Sequence, residues 1–141
     1  MSNNKVLLAG LVGAVIAFLL GFIVYGNVLT DFFVENSGSA SGVMRGDDEM
    51  QWVPMILGHI TWGLLFAIIY GRWANISTFT SGAKTGALLG FLIGASFDLI
   101  QLGSTHIPNL TGVIVDIIVM TIISAIVGGV VGWFLGRKKE A

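Results

Sequence analysis

Two aspartates lie inside stretches otherwise free of charge, Asp98 in FLIGASFDLIQLG and Asp116 in TGVIVDIIVMT. An ionisable side chain in so apolar a setting is costly unless it faces a bundle interior or a watery cavity, so these are the first places to look for chemistry. His59, in GHITWG, adds an imidazole. Tyr25, Asn27, Gln101, Thr61 and Thr105 could add hydroxyl and amide groups at similar heights, while His106 belongs to a loop. Two carboxylates held close in a low-dielectric site repel each other, and a shared proton relieves the repulsion. Such a pair suits proton transfer, or capture of a cationic or hydrogen-bonding ligand. The structural alternative is that Asp98 and Asp116 hydrogen-bond to neighbouring helices or to water near the interface. One imidazole with two carboxylates is an incomplete ligand set, so His59 reads as a bundle histidine, and no metal or other cofactor is expected.

Catalysis has little support in the sequence. Neither aspartate follows a Gly-x-Gly, no HExxH motif is present, and no serine stands with a convincing histidine base. Cysteine is absent, which removes disulfides, thiolate metal sites and cysteine nucleophiles. No catalytic residue is assigned, and the chain is not expected to be an enzyme. A net charge of −1, with Lys and Arg scattered at the ends of apolar runs, offers no surface for nucleic acid.

The elements that must position these residues are set by composition. Of 141 residues, 55% are hydrophobic and 11% charged, against about 25% charged in soluble domains. A hydrocarbon core of about 30 Å needs roughly 20 apolar residues, and four segments qualify, at about 6–28, 52–72, 83–103 and 111–135. Their backbones must pair internally, so the expectation is an all-α bundle of four transmembrane helices in one domain. Segment one is too long for the core of a signal peptide and reads as a retained helix. Lys5, Arg72, Lys84, Arg137, Lys138 and Lys139 fall on one side of this arrangement and Arg45 alone on the other, which puts both termini in the cytoplasm. The opposite side receives an acidic loop, about Asp31 to Met50, whose centre SGSASG predicts an exposed, mobile segment. Trp52, Trp73 and Trp133 fall near span ends, and Trp62 lies deeper.

Small residues recur every fourth position. Segment three carries Gly82, Gly86, Gly90 and Gly94; segment four carries Ser124, Gly128, Gly132 and Gly136; segment one carries Gly13, Ala17 and Gly21. Such rows let helices approach closely, within the chain or between copies. GAVIAFLLGF from Gly13 is similar in character to GALLGFLIGA from Gly86, as two hairpins related by a twofold axis would be, and Tyr25 then corresponds to Asp98. The NIS and NLT triplets at Asn75 and Asn109 read as chance, and the DDE run at Asp47 as a solvated acidic loop.

The stretch FLLGFIVYGNVLTDFF from Phe18 to Phe33, with its Gly-x-x-x-Tyr helix end and aromatic pair Phe32 and Phe33, and the closing GGVVGWFLG, resemble a family of small four-helix bacterial membrane proteins called DUF1761. The resemblance implies four spans in a bacterial inner membrane and carries no activity or site residue. Two functions follow from the whole sequence. One is an accessory subunit of a larger membrane assembly, partnered by another protein or by copies of itself. The other is a proton-linked transporter or small-molecule binder using His59, Asp98, Gln101, Asp116 and Tyr25.

Overall fold

The computed structural model describes residues 1–137. Lys138 and Lys139, part of the charge argument above, lie outside them. Helix α1 (Asn3–Ile23) begins at Ser2, whose hydroxyl accepts from the Lys5 N–H, and widens into a π turn over Val24–Val28. A short helix, α2 (Thr30–Glu35), and a 3-10 turn (Asp47–Glu49) precede α3 (Trp52–Ile68), which also ends in a π turn, Ile69–Ala74. Pro54 sits in the first turn of α3, where a missing N–H costs nothing. Thr78 caps α4 (Phe79–Ser104) and Asn109 caps α5 (Leu110–Gly136). No strand occurs among the described residues. With their π turns, α1, α3, α4 and α5 are each long and apolar enough to cross a membrane. The fold is an all-α four-helix bundle.

The helices form two antiparallel hairpins, α1 with α3 and α4 with α5. Helix α1 also packs along α5, and α3 meets α5 more sparingly, whereas α3 and α4 barely approach. The contacts between the hairpins are therefore not twofold-symmetric. The core is a buried cluster of Phe66, Ala67 and Tyr70 from the α3 arm with Val127, Val131 and Leu135 from α5 and Val6, Ala9 and Ala17 from α1. Trp62, Phe66 and Tyr70, four residues apart, stack edge to face down the helix at 5.4 and 5.8 Å. The Tyr70 hydroxyl donates to the Gly82 carbonyl at 2.7 Å, joining the hairpins at the end that carries Lys5, Arg72, Lys84 and Arg137.

Close approaches occur where no side chain intervenes. A Cβ on Gly82 would run into the Gly128 carbonyl, one on Gly86 into the Ser124 carbonyl, and one on Gly90 into the Ser124 side chain. Gly94 lies beside Met120, and Gly132 against Thr78 and Gly82. Gly13 faces Val131 and Gly63. Between α1 and α3 the tightest point is Gly63, against the Gly10 carbonyl and Ala14 backbone. Gly63 begins a further row of small residues at the same four-residue spacing, Gly63, Ala67 and Gly71, and Gly71 in turn lies against Val6 of α1.

The loop read as one mobile stretch from Asp31 to Met50 is more structured than that. It begins as α2, and Ser37 then bridges Pro108 in the second loop at this end of the bundle. The Gly38 N–H donates to the Ile107 carbonyl at 2.6 Å, Ala40 N–H to His106 at 3.1 Å, and Asn109 N–H to Asn36 at 3.3 Å. Backbone groups leaving a helix still need partners, and the neighbouring loop supplies them. Gly38 permits the approach, since a Cβ there would collide with the His106 carbonyl. Ser41 to Gly46 is exposed, with Gly42 turning the chain at φ 66°.

Candidate functional site

Asp98 stands six positions before the end of α4 at Ser104, and Asp116 six positions after the start of α5 at Leu110. At about 1.5 Å per residue both carboxyl groups sit roughly 9 Å inside the loop end of the bundle. The α4/α5 hairpin sets them at one depth, and the close packing of its glycines brings them near each other. Helix α1 delivers the third member. Its terminal π turn carries Tyr25, whose hydroxyl donates to Asp116 Oδ1 at 2.6 Å. Carbonyls displaced by that widened turn are taken by side chains, Phe22 by Asn27 Nδ2 at 2.9 Å and Tyr25 by the Thr30 hydroxyl at 2.8 Å. π turns recur at functional sites, where they re-aim a side chain.

Asp98 Oδ2 is buried and meets no donor among the described residues. Beside a second carboxyl group, an orphaned acceptor is satisfied if one proton lies between the two acids, since two carboxylates are acceptors only. The described cations do not fill this role: Lys5, Arg72, Lys84 and Arg137 lie at the opposite end and Arg45 in the exposed loop. Tyr25, Asp98 and Asp116 thus form one polar cluster where α1, α4 and α5 converge, and each is only half-buried.

His59 is separate from the acids. Its Nδ1 lies 2.7 Å from the Met55 carbonyl one turn earlier, and its ring packs edge-on against Phe18 at 5.2 Å. Its Nε2 points toward Gly21, where an added Cβ would lie 3.4 Å away. His59 and Tyr25 share an open groove of about 340 Å³ between α1, α3 and α5, walled also by Gly21, Met55, Trp62 and Met120. The other polar residues at this level act locally. Thr61 and Thr105 return their hydroxyls to carbonyls four residues back, and Asn27 is exposed. The Gln101 side chain makes no hydrogen bond to the cluster among the described residues; its carbonyl accepts from Thr105. No group of three His, Cys, Asp or Glu residues able to hold a metal occurs among the described residues.

Sequence reasoning missed Tyr70 and, of the groove walls, Met55 and Met120. The Trp62, Phe66, Tyr70 spacing was the available signal for a packed aromatic row; nothing in sequence marks Met55 and Met120 as neighbours. Fold and composition define a multi-pass helical membrane protein with a carboxyl pair set inside one end. Comparison with protein families, characterised proteins and solved structures finds no match.

Proposed function

We propose that this chain is a small-molecule binder of a bacterial inner membrane, using Asp98, Asp116 and Tyr25 to hold a proton or a small monocation in the outer half of the bilayer. The observation that carries the reading is the buried Asp98 Oδ2, which meets no donor among the described residues, beside Asp116. Two acids sharing one proton carry a single negative charge, which matches an ammonium or similar group able to donate several hydrogen bonds. Coupling of ligand and proton at the same pair makes proton-linked transport the natural extension. Both ends of the chain lie in the cytoplasm in this proposal, because the cations collect at that end of the helices. The glycine rows serve close packing within the hairpin, fixing the separation of the two acids.

A second reading rests on α4. It packs chiefly on α5 and leaves Leu88, Phe91, Leu92 and Phe97 exposed. That face suits lipid, a second copy or a larger partner, which is the accessory-subunit function.

Native mass spectrometry of gently extracted protein separates the two. The binder reading expects a small basic molecule on the wild type that is lost from Asp98→Asn and Asp116→Asn variants of unchanged copy number. Foreign subunits retained equally by wild type and variants, with no ligand on either, would overturn it in favour of the accessory subunit.

A further inference from the structure

We infer that the groove beside His59 is a second binding site, adjoining the acid cluster through Tyr25 but lined by neither aspartate, for a membrane-dissolved phenol carrying an apolar tail. The Met55 carbonyl can only accept, so Nδ1 of His59 carries the hydrogen and Nε2 of the neutral ring is left with a lone pair. Nε2 makes no hydrogen bond among the described residues, although it borders a groove of about 340 Å³. That volume is in the range of small-molecule pockets, and one fixed acceptor in an apolar cleft is the pattern such pockets show.

The chemistry of the occupant follows from the walls. A neutral imidazole acceptor with no carboxylate in the groove selects an uncharged donor over a cation. Trp62, Tyr25 and the imidazole present aromatic surfaces, and Met55 and Met120 present thioethers, which favour a ring over an alkyl chain at the head of the ligand. A phenolic O–H on such a ring satisfies both demands. The groove is open and is lined by residues of the spans α1, α3 and α5, so its ligand arrives through the lipid. Gly21 leaves the approach to Nε2 clear.

The test uses full-length protein in detergent micelles with Trp52, Trp73 and Trp133 changed to Phe, leaving Trp62 as the reporter, and para-octylphenol as the probe. Saturable change of Trp62 fluorescence is expected. The methyl ether of the same phenol, which cannot donate, binds about tenfold more weakly. His59→Leu shows a comparable loss and erases the preference for phenol over ether, and Gly21→Leu abolishes saturation. Equal affinity for phenol and ether, or no saturable signal from the folded reporter protein, overturns the proposal; neither outcome depends on a variant at His59 or Gly21 folding. The inference does not rest on the function proposed for the acids.

Discussion

At the residue scale, Tyr25 does the work of connecting the hairpins at the acid cluster. Its hydroxyl is the one side-chain donor to Asp116 among the described residues, so Tyr25→Phe removes that partner. Hydrogen bonds between membrane helices are worth on average well under 2 kcal/mol, because the unfolded chain in lipid also finds partners. Tyr25→Phe is therefore expected to cost about 1 kcal/mol in a reversible unfolding measurement in bicelles. In a double-mutant cycle with Asp116→Asn the two losses should not add; strict additivity would mean that the 2.6 Å contact carries no energy. The prominence of Asp98 and Asp116 was legible in the sequence, because charge in an apolar run has few harmless explanations. Their contact with Tyr25 was not, since it depends on a π turn that rotates the end of α1 and that no residue spacing announces. His59 looked equivalent to the acids by depth alone, yet rotation about its helix axis turns it to a different cleft.

At the element scale, hairpin α4/α5 is held at a separation that only glycine permits. Gly86 faces the Ser124 carbonyl and the Gly128 Cα, both backbone, so neither can swing aside. Gly86→Val should lower stability by about 1–3 kcal/mol, as overpacking does in tight interiors. It should also weaken ligand retention at the acid pair, because the helices that bear Asp98 and Asp116 are forced apart. Gly58→Ala, where an added Cβ meets nothing within 4 Å, serves as the control and should be close to neutral in the same melt. The number, length and helical state of the spans were legible because a bilayer imposes all three on an apolar chain. Helix partnership was less so: small residues mark faces on α4 and α5, and on the α3 arm at Gly63, Ala67 and Gly71, but such rows do not say which helix each face meets.

For the whole molecule, orientation is the property that gives the site its meaning, since it decides which compartment the acids face. The chain has no cysteine, so single cysteines report topology without background. Ser41→Cys in the exposed loop should be labelled by a membrane-impermeant maleimide on intact cells, and Asn4→Cys, at the basic end, only after permeabilisation. The reverse pattern would place Asp98 and Asp116 in the cytoplasmic leaflet and invert the proposed entry route. The pairing of Ser37 to Ala40 with His106 to Asn109 bears on a different matter. It fastens the hairpins together upstream of Ser41, so the exposed residues from Ser41 to Gly46 hang outside the clasp as slack. Lengthening such slack costs only slowly with each added residue. The same stretch is thus a natural insertion point, where a fluorescent reporter or an affinity epitope would ride on the bundle without entering its architecture.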